Sequence, residues 1–88
     1  MTTRNVKIQN RAGIHARPAS MIVQTAQGFD SSIWMEKEDV KINAKSIMNI
    51  LTLGATYGTE LVLSADGTDE TEAVEALASL FDNKFKEE

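Results

Sequence analysis

Val6 and Ile8 alternate with Lys7 and Gln9, the period-two pattern of a strand that buries one face. A loop over residues 10–15, containing Gly13, follows. Apolar positions then recur at Ala19, Ile22, Val23 and Ala26. That spacing predicts a helix over about residues 17–27, with Gly28 as the left-handed residue past its end and Phe29 folding back onto it. Residues 32–37 alternate again, with Ile33 and Met35 on one face and Trp34 and Glu36 on the other. Glu38-Asp39 reads as a tight turn, and residues 40–42 as a short returning strand. Ser46 precedes Ile47, Met48, Ile50, Leu51 and Leu53, so a short helix is expected, capped by Ser46 and stopped at Gly54. Residues 60–65 form a strand with Leu61 and Leu63 on one face. A turn at residues 65–67 leads to a last helix. Asp69 is its expected cap and Glu72 the third residue of a capping box. Val74, Leu77, Ala78, Leu80, Phe81 and Phe85 form the buried stripe, and Lys84 and Lys86 suit the helix dipole.

The order is therefore strand, helix, strand, strand, helix, strand, helix. One sheet with helices packed on one face is the economical arrangement of an α+β domain spanning residues 1–88. The other face meets water, where Lys7 and Glu36 belong. Trp34 falls on that side as a surface tryptophan, with contact to a partner or a second copy as the minority reading.

Composition narrows the class. The chain has 88 residues, 42% of them hydrophobic and 25% charged, the make-up of one small globular domain. There is no cysteine, which excludes disulfide staples and thiolate metal sites and favours an intracellular setting. With a single histidine as well, a structural metal site is not expected. No apolar run has the length of a membrane span, and residues 1–5 lack the apolar stretch of a signal peptide. A formal net charge of −4 argues against nucleic acid as the main partner.

The chemistry gathers at Gly13-Ile14-His15-Ala16-Arg17-Pro18-Ala19-Ser20, which contains the only histidine and the only proline. Pro18 suits the first turn of a helix. None of Ile14, His15, Ala16 or Arg17 is a capping residue, so the helix start keeps spare N–H donors and is disposed to bind an anion. A neutral imidazole is a nucleophile, and Arg17 is a permanent planar cation. Together they suggest a histidine that takes up a phosphoryl group. The competing reading is a solvated, idle histidine near a helix start. Ser46 is a good N-cap on its own account. The five apolar residues at 47, 48, 50, 51 and 53 exceed what one short helix can bury. Ile50 and Leu53 are expected toward the core, and Met48 and Leu51 exposed.

The motif at residues 13–19, together with Asn-Ala-Lys-Ser-Ile-Met at 43–48 and Leu53-Gly54-Ala55, resembles the HPr family. These are the histidine phosphocarriers of the bacterial sugar phosphotransferase system. The resemblance covers essentially the whole chain. It implies an open-faced β-sandwich, a four-stranded antiparallel sheet of order 1-4-2-3 with three helices on one face. It also implies a cytoplasmic monomer without cofactor or metal, a carrier component rather than a stand-alone enzyme. His15 would accept phosphate on Nδ1 from enzyme I, charged by phosphoenolpyruvate, and pass it to the IIA component of a sugar permease. Arg17 corresponds to the arginine beside the phosphohistidine. Ser46 corresponds to the regulatory serine that an ATP-dependent HPr kinase/phosphorylase modifies in many bacteria, in dialogue with a catabolite-control transcription factor. The docking face would comprise Arg17, Ser20 and Gln24 with Ile47, Met48 and Leu51. Asn49 stands where many members have glycine, and Trp34 where a smaller residue is usual. A regulatory or ligand-binding module, and a carrier in a nitrogen-related phosphotransfer chain, are the alternatives. A paralogue lacking the histidine is excluded by His15 itself.

Overall fold

The structure, a computed structural model, describes residues 1–87. Its elements follow the expected order: β1 (Thr2–Lys7), α1 (Ala16–Gln27), β2 (Ser32–Lys37), β3 (Val40–Asn43), α2 (Ile47–Thr52), β4 (Glu60–Asp66) and α3 (Glu70–Asp82), then a short turn over Lys84–Lys86. The sheet order is β1-β4-β2-β3, with every neighbouring pair antiparallel. The register runs Thr2↔Ala65 to Lys7↔Glu60, Ser32↔Asp66 to Glu36↔Val62, and Trp34↔Asn43 to Lys37↔Val40. This is the open-faced β-sandwich with its three helices on one side.

Strand alternation decides which side is covered. Val6, Ile33, Met35, Leu61, Leu63 and Ala65 are buried, and alternate residues point to opposite faces. The helices return the same signal at their own period. Ala19, Ile22 and Ala26 of α1 and Val74, Leu77, Ala78 and Phe81 of α3 are fully buried. α3 lies over β1 and β4, while α1 packs against α2 and α3. On the open face Trp34 is half-buried, not a plain surface residue. It sits opposite Ser64, and the Lys41 ammonium stands 4.8 Å above its ring, a cation–π contact that shields the indole from water.

Three local expectations are overturned. Gly28 is not left-handed; at φ −75° and ψ −4° it continues the right-handed turn. Its N–H reaches the Thr25 carbonyl at 3.1 Å, and a Cβ there would stand 3.3 Å from that oxygen, so space is what glycine supplies. Asp69 does stand at the start of α3, but its side chain makes no capping bond. Its carboxylate instead accepts the backbone N–H of Asp30 at 2.9 Å, that of Ser31 at 3.0 Å, and the Ser31 hydroxyl. A tertiary set of three donors outcompetes one local amide, and it ties the start of β2 to the start of α3.

The third correction concerns the chain end. α3 stops at Asp82 with no basic residue in its last turn. Lys84, Phe85 and Lys86 all take positive φ, 54°, 53° and 60°. Left-handed backbone costs about 1–2 kcal/mol for each non-glycine residue. Burial of Phe85, edge-on to Phe81 with ring centroids 4.9 Å apart, offsets that strain.

The Ser31 hydroxyl, followed by the Asp30 amide, holds the Asp69 carboxyl below the usual aspartate range, against some desolvation. A depressed carboxylate contributes stability above its ordinary value and loses it as pH falls through the lowered one. Asp69→Asn is expected to lower the melting temperature by several degrees at neutral pH. The gap to wild type should start to narrow as pH falls into the ordinary aspartate range and close only below the lowered value, which thermal melts across pH will read.

Candidate functional site

The loop before α1 is shaped by one glycine. Gly13 has φ +73°, and a Cβ on it would lie 2.9 Å from the Ala55 carbonyl oxygen. Its neighbour Ile14 donates its N–H to that oxygen at 3.0 Å. The buried Asn10 closes the loop from the other side, its Nδ2 donating to the Gly13 carbonyl at 2.8 Å.

This loop delivers His15 to the N-cap position of α1, with φ −99° and ψ −166°. The His15 carbonyl accepts the Ala19 N–H at 3.0 Å, but no side chain caps the helix and its first turn carries no acidic residue. Pro18 has no N–H. Ala16 and Arg17 therefore bring the amides of the open helix start, where the helix dipole is positive. The imidazole is 44% exposed, and Arg17 is exposed in the same turn.

Sequence reasoning missed the partner of the ring. His15 Nε2 lies 2.7 Å from Glu87 Oε2. The other carboxylate oxygen accepts Asn10 Nδ2 at 2.9 Å. The Glu87 side chain is only 14% exposed. The Asn10 hydrogen bond first, then the His15 ring with a smaller contribution from the Arg17 charge, holds its carboxyl below the usual glutamate range; desolvation opposes them. Nδ1 has no hydrogen-bond partner among the described residues. No local signal marks Glu87, which stands 72 positions away in the chain.

Ser46 is the N-cap of α2, as expected, with its Oγ accepting the Asn49 N–H at a long 3.4 Å. Lys45 before it is committed, its Nζ donating to the Phe29 carbonyl at 2.8 Å. On α2, Ile50 is fully buried and Leu53, just past its end, is 7% exposed, whereas Met48 is 69% exposed. Ile47 and Leu51 are exposed too. On α1, Arg17, Ser20 and Gln24 recur at i, i+3 and i+7 and share one side; Gln24 Nε2 reaches Ser20 Oγ at 3.4 Å. Because α2 packs against α1, and the segment after α2 holds the His15 loop through Ala55, both sets belong to one end of the molecule. Among the described residues no group of three His, Cys, Asp or Glu side chains is arranged to hold a metal. No helix is long and apolar enough to cross a membrane.

Fold and site together define a class: small α+β open-faced sandwiches that present a histidine at an open helix start. Comparison with known proteins narrows this. The family described as the PTS HPr component phosphorylation site matches residues 2–83. The phosphocarrier protein HPr of Treponema pallidum (strain Nichols) is 48% identical over 88 residues, covering both chains completely. The HPr-like protein Crh of Bacillus subtilis (strain 168) is 44% identical over 79 residues, 90% of this chain and 93% of Crh. The crystal structure of HPr-C-His from Thermoanaerobacter tengcongensis superposes with a TM-score of 0.96 at 51% identity, covering 100% of this chain and 99% of that one. The chain belongs to the HPr family of phosphotransferase-system phosphocarriers.

Proposed function

We propose that this protein acts as a cytoplasmic monomer that accepts a phosphoryl group on Nδ1 of His15 from phosphorylated enzyme I and passes it to a IIA component for sugar uptake. The observation that carries this reading is the exposed imidazole at the uncapped start of α1. The Nδ1 lone pair attacks phosphorus, and the bond to the donor breaks with its electron pair leaving on the donor. The same exchange in reverse unloads the carrier. Arg17 and the open amides balance phosphoryl charge without covalent work. They are few and exposed, so they do not trap the group. Because the donor delivers the phosphoryl group to the same nitrogen from which the acceptor removes it, one docking face serves both in turn. We assign to it Arg17, Ser20, Gln24, Ile47, Met48 and Leu51. Incubation with enzyme I and phosphoenolpyruvate should add one phosphoryl group by intact mass, labile in acid and stable in base, and none to His15→Ala. Equal labelling of both would overturn the assignment.

A regulatory layer rests on Ser46, and the likeness to Crh favours weighing it. Ser46 caps a helix adjoining the docking face, where a phosphate brings about −1.5 to −2 charges to a favourable dipole end. An ATP-dependent HPr kinase/phosphorylase is the proposed modifier, and a catabolite-control transcription factor the proposed reader. Aspartate is itself a good cap. Ser46→Asp should therefore melt like wild type while binding enzyme I more weakly in calorimetry; unchanged affinity would leave Ser46 a plain cap.

Met48 tests the docking face directly. Its exposure means Met48→Glu should cost no more than about 0.5 kcal/mol of stability. Its place at an apolar docking centre means affinity for both enzyme I and a IIA partner should fall about tenfold. A large drop in melting temperature with unchanged binding would place Met48 in the core instead.

A further inference from the structure

We propose that Glu87 is a positioning residue for His15, its carboxylate holding the Nε2–H and so fixing the ring orientation and the tautomer in which Nδ1 carries the lone pair. The geometry supplies the direction of the bond. An ionised carboxylate only accepts, so at 2.7 Å the shared hydrogen belongs to Nε2. A neutral imidazole has one N–H, and with it on Nε2 the nucleophilic electron pair is on Nδ1.

Three features show that this contact is built. The carboxylate is held from both ends, by His15 on one oxygen and by the fully buried Asn10 on the other. Asn10 Nδ2 also holds the Gly13 carbonyl, so one amide group locks both the loop that carries the histidine and the carboxylate that orients it. Finally, the chain reaches this place through three consecutive left-handed residues pinned by Phe85. A chain leaving α3 without that reversal would not bring residue 87 back to residue 15.

The role follows from charge. When Nδ1 bonds to phosphorus and Nε2 keeps its hydrogen, the ring becomes cationic. The hydrogen bond to Glu87 then becomes an ion pair, stronger than the one made to the neutral ring. The electron pair returns to Nδ1 when the phosphoryl group departs, and no proton has to leave or enter the site. A carboxylate beside Nε2 also stands away from the incoming anion, which approaches Nδ1. Glu87 thus favours loading without contesting the phosphoryl position, as an orienting carboxylate does for a nucleophile's imidazole partner.

The tautomer part of this inference stands on geometry alone; the kinetic part rests on the carrier reading. Ring ¹⁵N spectra of His15 in the unphosphorylated protein, at a pH where the imidazole is neutral, should show the Nε2–H tautomer in wild type. Glu87→Ala should show a mixture of both tautomers, and Glu87→Gln, whose amide oxygen still accepts, should restore the wild-type pattern. In phosphoryl exchange with enzyme I, Glu87→Ala should load about fivefold more slowly, and Glu87→Gln should fall between. Unchanged melting temperatures will separate positioning from folding. Wild-type tautomer and rate in Glu87→Ala would overturn the proposal while leaving the carrier reading intact. A wild-type protein that shows the tautomer lock yet takes no phosphate would overturn the carrier reading and leave the positioning role standing.

Discussion

A methyl group on Gly13 would stand 2.9 Å from the Ala55 carbonyl oxygen and 3.1 Å from the Thr56 Cα, closer than carbon normally approaches either atom. That close approach lets Ile14 donate to Ala55 at 3.0 Å, and it makes the loop before α1 and the loop before β4 a single unit. Ile8 and Gly58 extend the seam, with Ile8 N–H on the Thr59 carbonyl at 2.9 Å and Gly58 N–H on the Ile8 carbonyl at 2.8 Å. β4 is an inner strand, bonded to β1 on one edge and β2 on the other. His15 is therefore one residue removed from a backbone bond that leads into the centre of the sheet. Its side chain is open to solvent while its backbone shares the rigidity of the core, a combination that surface loops do not ordinarily provide.

A sheet covered on one side has to place all of its helices on that side, and the covering is not uniform. α1 and α3 each present a full apolar stripe. α2 has six residues, of which only Ile50 is buried. The remaining large apolar side chains of α2, Ile47, Met48 and Leu51, are exposed. Met48 at 69% exposure is the extreme case. Exposed apolar side chains grouped in this way commonly mark surfaces that contact other molecules. Packing this short helix against α1 thus leaves apolar side chains in solvent.

What was legible in the sequence was what local chemistry decides. The uncapped start of α1 could be read because caps are chosen among a few adjacent residues. The exposure of α2 could be read because too many apolar residues were crowded into too few positions. The sheet followed from alternation in residues 6–8, 32–37 and 60–65. Apart from Gly28, where a local contact with the Thr25 carbonyl decides, the misreadings share one cause, a tertiary partner that outbid a local one. Asp69 has a local amide to cap, but it meets the Asp30 and Ser31 amides from a distant turn. Phe85 belongs to the stripe of α3 by spacing and is indeed buried, yet the backbone reaches it through a left-handed turn that no spacing rule describes. Glu87 escaped notice altogether, since its meaning arises only when that turn has folded it under residues 10–15. Trp34 needed the cross-strand neighbour Ser64 and the Lys41 ammonium before its place could be understood.

The charges around His15 are of both signs and lie close together, for the Arg17 guanidinium also acts on the Glu87 carboxyl. The open amides of α1 and the Arg17 guanidinium make the helix start favourable to an anion, in a chain whose formal charge is −4 overall. An acidic surface would repel a phosphoryl donor site at long range, so attraction must come from local features whose reach is a Debye length or less. Glu87 adds one more negative charge nearby, and its position determines whether that charge helps or hinders. Bound to Nε2 at 2.7 Å, it lies across the ring from Nδ1, and under the proposed phosphorylation it would stand closer to the positive ring than to the phosphoryl oxygens. Moved to the Nδ1 side, the same carboxylate would occupy the lone pair or repel the anion. The left-handed turn at residues 84–86 immediately precedes Glu87, so a strained piece of backbone leads directly to the carboxylate that meets the histidine ring.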